Sequence, residues 1–277
     1  RLRKLTFTGS TVVGKKLIEQ AADNVLRVSM ELGGNAPFVV FDDADLDAAV
    51  DGAMAAKMRN MGEACTAANR IHVDNAVRAE FTEKLAARMA ALATGPGDQA
   101  GSQVGPLITA KQRATVDELV QDAVNKGATV ATGGKPAPGE GFFYPPTVLA
   151  DVSADARLLR EEIFGPVAAI IGFDGEQSGI DAANDTEYGL AAYVYTQGLD
   201  RALRVAEAVE AGMVGVNVPI PVPVGAFSFG GWKDSLFGSS HIYGPESIEF
   251  YTRSKVVTTK WPNPDQSKID LGFPSNS

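Results

Sequence analysis

The chain holds one cysteine, Cys65, and thirty-four positions before it stands Glu31, which opens the run Glu31-Leu32-Gly33-Gly34. A thiolate and a carboxylate are the two groups that covalent chemistry at an aldehyde carbon needs. The first attacks the carbonyl, and the second activates water to release the acyl group. A free cysteine is more often a small buried hydrophobe than a nucleophile. Three features favour reactivity here: the loop NMGEAC, the glycine approach at Gly62, and a glutamate at the end of a separate strand pattern. An ordinary thiol titrates at about 8.5, so a helix terminus or a cation must lower it for attack near neutral pH. The Cys65 backbone N–H would supply one oxyanion donor, a contribution of about 3 kcal/mol. Glu162, ahead of Ile163-Phe164-Gly165-Pro166, is either a loop-capping surface carboxylate or a further member of the site. His72 and His241 lack a nameable partner and read as structural.

These residues need elements to hold them. Residues 4–8 alternate as a strand, Gly9-Ser10-Thr11 offers a turn and an N-cap, and 12–22 has helical spacing, a geometry that cradles phosphate. Gly9 to Lys15 also fits G-x-x-x-x-G-K, but Lys16 stands where a nucleotide-hydrolysing loop needs Ser or Thr for Mg²⁺, which excludes that reading. Strands are expected at 25–32 and 37–41. DDADLD then starts a helix that runs to about Arg59, with Lys57 and Arg59 as the cations its C-terminus favours. Cys65 follows in a helix-to-strand connection, and 70–73 returns as a strand. Helices and strands alternate onward to 213–218, which predicts an α/β fold with a mainly parallel sheet and flanking helices. The Pro-rich run from Val218 onward breaks the pattern. Residues 248–261 alternate again and predict a strand that pairs at an edge or across subunits, before a loose tail.

Composition narrows the function classes. A net charge of −9 argues against nucleic acid or an anionic membrane as partner, because a polyphosphate surface repels such a protein. One cysteine and two histidines leave no disulfide framework and no zinc cluster, and imply a reducing, cytoplasmic setting. No apolar run reaches the roughly 20 residues of a membrane span, and the N-terminus lacks the apolar core of a signal peptide. The chain opens into a strand pattern without Met, as a fragment or an engineered piece would.

The motifs FTGS (7–10), ELGGN (31–35), GEAC (62–65), GPLI (105–108), EEIFGPV (161–167), NDTEYGLAAYVYT (184–196) and FGG-x-K (229–233) span nearly the whole chain. In this order and combination the sequence resembles the NAD(P)-dependent aldehyde dehydrogenases. From FTGS to about Val194 it is most similar to succinate-semialdehyde dehydrogenases, and from 213 to 261 it resembles methylmalonate-semialdehyde dehydrogenases. The resemblance implies Cys65 as nucleophile and Glu31 as base. It places Gly9, Ser10, Leu32, Gly33, Glu162 and Phe164 at an NAD or NADP cofactor, and Phe229 at the substrate. Arg59 matches an arginine that binds the substrate carboxylate in the succinate-type enzymes, while its other reading remains the helix-end cation. The resemblance also implies that residues 1–33 are the remnant of a dinucleotide-binding domain. Residues 34–232 would be the catalytic domain, and 233–277 a return segment with an oligomerisation strand and a tail. The expected activity is oxidation of a semialdehyde to a carboxylic acid by a homodimer or tetramer. The alternatives are a CoA-acylating dehydrogenase and a non-catalytic module with an incomplete cofactor site.

Overall fold

A computed structural model describes residues 2–261 of the 277. The chain begins β1 (Lys4–Thr8), α1 (Thr11–Ala22), β2 (Arg27–Glu31), and the two strands pair in parallel with Thr8 opposite Glu31. Next come β3 (Ala36–Val40), α2 (Leu46–Met58), β4 (Ala68–Asp74), α3 (Arg78–Ala90), α4 (Ala110–Asn125), β5 (Thr129–Thr132), β6 (Thr147–Ala150) and β7 (Val167–Phe173). Then α5 (Glu176–Asn184), β8 (Tyr188–Gly189), β9 (Ala191–Tyr195), α6 (Leu199–Ala208) and β10 (Met213–Val216) complete the alternation. After the Pro-rich run follow β11 (Trp232–Lys233), β12 (Leu236–Gly238) and α7 (Pro245–Tyr251).

Seven strands form the main sheet in the order β10-β9-β3-β4-β7-β6-β5. All neighbours are parallel except β5, which runs antiparallel to β6 at one edge. Every residue of β3 is buried, as a strand covered by helices on both faces requires. One face packs against α2 and α3 through Phe38, Ile71, Phe81, Leu85 and Met89, and the other receives Val205 and Val209 at the end of α6. The helix α2 starts where its chemistry says it should, with the Asp45 side chain accepting from the Ala48 N–H and Asp47 in the first turn. Four of its six buried positions are small (Ala49, Gly52, Ala53, Ala56), so it lies close to the sheet and ends in the Cys65 loop. Arg70 on β4 is buried and donates to the carbonyls of Asn35, Ala182 and Ala183, tying the ends of β3 and α5 together.

A second, three-stranded sheet has the order β1-β2-β12, with Leu236 opposite Glu31 in antiparallel register. The first four residues of the segment 248–261 depart from the strand expectation. Residues 248–251 belong to α7, where Gly244 at positive φ precedes Pro245 at the first turn and Phe250 is buried beneath Lys4 and Arg27. Residues 252–261 form no strand, because among the described residues no neighbouring chain segment pairs with their backbone. The expected tail beyond 261 lies outside the described residues. Among the described residues no helix is long and apolar enough to cross a membrane.

Candidate active site

Two segments meet at a cleft of about 430 Å³: the end of β2 with residues 32–34, and the loop between α2 and β4 that carries Cys65. The lining comprises Thr8, Gly9, Ser10, Leu32 and Gly33 from the three-stranded sheet, and Glu63, Ala64 and Cys65 from the loop. Gln112 and Thr115 from α4, with Glu162 and Phe164, close it. Seven of the residues singled out from sequence therefore share one cleft: Gly9, Ser10, Leu32, Gly33, Cys65, Glu162 and Phe164. Glu31 lies just behind the lining, and Arg59 and Phe229 are not part of it.

The glycines after Glu31 act through space rather than through a turn. A Cβ at Gly34 would overlap the carbonyl oxygen of Cys65, so that glycine lets the strand end touch the cysteine loop. The Gly34 N–H donates to Glu162 Oε1 at 3.1 Å, which brings a third segment to the same point. The loop itself takes an uncommon path: Asn60, Met61 and Gly62 all have positive φ, at 51°, 56° and 75°. Two backbone bonds, from the Glu63 N–H to the Asn60 carbonyl at 2.9 Å and from the Ala67 N–H to the Ala64 carbonyl at 3.0 Å, turn it, and side chains add to them. Asn60 Nδ2 donates to the Glu63 carbonyl at 2.7 Å, and Tyr193 Oη donates to the Thr66 carbonyl at 2.6 Å. Phe164 also has positive φ, and Gln112 Nε2 holds it by donating to the carbonyls of Ile163 and Phe164, each at 3.0 Å.

Burial dominates the electrostatics. Glu31 is 3 % exposed, neither carboxylate oxygen has a hydrogen-bond partner among the described residues, and desolvation pushes its pKa up to about 8. Glu162 is pushed up to about 7 by the same cause, against which the Gly34 N–H and the charge of Lys57 act. The Cys65 thiol is raised as well, first by burial and then by the Glu162 and Glu31 carboxylates. The backbone N–H groups of Cys65 and Thr66 oppose this by bonding the sulfur. Of the helix terminus or cation expected to lower the thiol, no cation acts on it among the described residues, and the charged groups that do are anions.

Lys57 differs from its sequence reading too. It does stand in the last turn of α2, but it is fully buried there, donates to Asn69 Oδ1 at 2.7 Å, and is brought down to about 7 by desolvation. Arg59 is exposed and reaches Thr66 Oγ1 at 3.4 Å, while Phe229 packs beside Tyr243 and the main core. Ser10 is the N-cap of α1 but makes no side-chain cap bond; Thr11 Oγ1 instead accepts from the Gly33 N–H. His72 is buried in β4 with both ring nitrogens unpartnered, and His241 pairs with Glu246.

Sequence reasoning missed Lys57 as a buried group, and also Glu63, Gln112 and Thr115. Glu63 carried a signal in its place two residues before Cys65. It is buried, one of its carboxylate oxygens is unpartnered, and desolvation raises its pKa. Gln112 and Thr115 are spaced three apart on α4, one face of a helix that sequence alone assigned to scaffold.

A cysteine and buried carboxyls thus stand where parallel strands end beside a helix N-terminus, the edge at which α/β sheets place their sites and helix ends attract anions. The sequence profile of the aldehyde dehydrogenase family matches residues 1–257. The chain is 57% identical over 257 residues to a succinate-semialdehyde dehydrogenase of Paenarthrobacter nicotinovorans, covering 93% of this chain and 56% of that protein. It is 50% identical to a glutarate-semialdehyde dehydrogenase of Pseudomonas aeruginosa, covering 92% of this chain and 52% of the relative. A crystal structure of an E. coli NADP-dependent enzyme superposes with a TM-score of 0.86 at 48% identity, covering 90% of this chain and 51% of that one. The chain belongs to the aldehyde dehydrogenase family. It spans about half the length of the curated relatives it matches.

Proposed function

We propose that this chain supplies the catalytic part of an NAD- or NADP-dependent semialdehyde dehydrogenase whose product is a carboxylic acid. The observation that carries the reading is the convergence of Cys65, Glu162 and the head of α1 on one cleft, with the unpartnered Glu31 carboxyl behind it. The cleft fits a nicotinamide dinucleotide. Ser10 leaves the first-turn N–H groups of α1 without a side-chain cap, at a wall built from Thr8, Gly9 and Ser10. Gly9, Ser10, Leu32, Gly33, Glu162 and Phe164 would hold that group, which when bound supplies the hydride acceptor.

In this reading Cys65 loses its thiol proton to solvent, the resulting thiolate Sγ bonds the aldehyde carbon, and the carbonyl oxygen takes up the electron pair. Loss of hydride from that carbon leaves a thioester on Cys65. Glu31 then removes a proton from water, the water oxygen attacks the thioester carbon, and the Sγ–C bond breaks. Glu31 acts as a base only when ionised, so hydrolysis should accelerate up to about pH 8 and level off above it. A general base at this position supports hydrolysis over interception by coenzyme A. The substrates named by the two relatives carry a carboxylate at the far end. Arg59, exposed and hydrogen-bonded to the Cys65 loop at Thr66, is the cation offered to it.

The test is an aldehyde panel with NAD and with NADP, on the chain, on Cys65→Ala and on Glu31→Gln. Succinate or glutarate semialdehyde should give reduced nicotinamide and free acid. Cys65→Ala should lose at least about 10⁴-fold in rate, and Glu31→Gln should release one burst of hydride and then stall. Steady turnover by Glu31→Gln would remove its role, acyl-CoA as product would favour the acylating alternative, and failure to bind NAD or NADP in calorimetry would favour the non-catalytic module.

A further inference from the structure

The loop from residue 59 to 67 leaves α2 and enters β4 with three consecutive residues at positive φ, and such a path persists only where surrounding contacts over-determine it. Lys57 lies in the last turn of α2, and Asn69 is the second residue of β4. Their side chains meet at 2.7 Å, both fully buried, so one hydrogen bond closes the base of the loop. Lys57 Nζ also sits 3.0 Å from where a Cβ on Gly62 would be, directly beneath the approach to Cys65. Buried lysine is costly, and a methionine of similar volume would avoid that cost, so the amine must contribute something packing does not. The sole side-chain acceptor it has among the described residues is Asn69, and the one carboxylate that acts on it appreciably is Glu162.

We propose that Lys57 and Asn69 form a clasp that positions Cys65, holding the strained loop so that the thiol stays seated in the cleft. Lys57 acts through the loop and touches no reactant, which makes it a positioning residue. The proposal rests on Cys65 being the nucleophile, but its test needs neither aldehyde nor cofactor.

Because Cys65 is the chain's only cysteine, its alkylation by iodoacetamide can be followed by intact mass as a function of pH. Glu162 and Glu31 are the charged groups facing the thiol, and burial is the larger cause of its raised pKa. Opening the clasp should therefore raise the alkylation rate about tenfold and move the pH midpoint down toward that of a free thiol, about 8.5. Lys57→Met and Asn69→Leu should each do this, and the double variant should do no more than either single. A general loss of packing would lower the melting temperature and leave the midpoint in place. Effects that multiply in the double variant, or parent-like midpoints in both single variants, would overturn the clasp. If Lys57→Met does not fold, Asn69→Ser, too short to reach Nζ, carries the same test. Alkylation that changes as expected while aldehyde oxidation is absent in the parent would uphold the clasp and sink the proposed reaction instead.

Discussion

The two arms of the cleft are held by different forces. Glu31 ends a strand bonded on both sides, to β1 in parallel and β12 in antiparallel register, with the Gly9 N–H donating to the Glu31 carbonyl and the Leu32 N–H to that of Ser235. Regular backbone pairing sets its place. Cys65 rides on a loop with positive φ at three successive residues, secured by the side chains of Lys57, Asn60 and Tyr193. A backbone-held carboxyl should tolerate changes among its neighbours, whereas a side-chain-held thiol should not.

Gly34→Ala should break this contrast most severely, since the new Cβ would drive the strand end against the Cys65 carbonyl. Aldehyde oxidation should fall about 100-fold, and denaturant melts should show a loss of about 1–3 kcal/mol. Asn60→Gly keeps the positive φ but removes the bond to the Glu63 carbonyl, and kcat should fall by about five- to tenfold, the worth of one hydrogen bond of about 1 kcal/mol. The Glu31 arm sharpens the comparison through stability. The folded-state pKa of Glu31 is raised, so its contribution is fully present below the unfolded carboxyl value and is lost as pH rises toward about 8. Glu31→Gln should escape that loss, so its melting temperature should exceed the parent's by several degrees at pH 8 and by little at pH 5. Arg59→Ala should have the smallest effect, raising KM for a semialdehyde acid about fivefold while kcat and the KM for an uncharged aldehyde stay unchanged. An equal rise for both aldehydes would assign Arg59 to the helix end instead.

Much of the frame was legible in the sequence, because alternating apolar strands and periodic helices are local signals. The position of Cys65 between α2 and β4 followed from the DDADLD start and the length of the helix. Tertiary burial was not legible. Lys57 read as a dipole cation because helical spacing says nothing about Asn69 folding over it. The thiol was expected to meet a cation, but its charged neighbours Glu31 and Glu162 lie thirty-four positions before and ninety-seven after it, and only folding turns them toward it. Gln112 and Thr115 enter the cleft from a helix that carries no motif. At 248–251 the strand expectation gave way to a short helix, because burial of Phe250 beneath Lys4 and Arg27 is a tertiary contact that alternation does not encode.

The antiparallel bond between β2 and β12 has a consequence for how the molecule is made. Leu236 faces Glu31 across more than two hundred residues of intervening chain, and Ser235 Oγ, buried in the same turn, donates to the Gly33 carbonyl at 2.7 Å. On a ribosome adding about 5–20 residues per second, the strand bearing Glu31 waits on the order of 10–40 seconds with one edge open. During that interval Met30 and Glu31 sit on an unpaired edge, a place where a nascent chain is exposed to wrong pairing or to a chaperone. The cleft is therefore completed only when β12, about two hundred residues further along the chain, closes the edge of the strand that ends at Glu31.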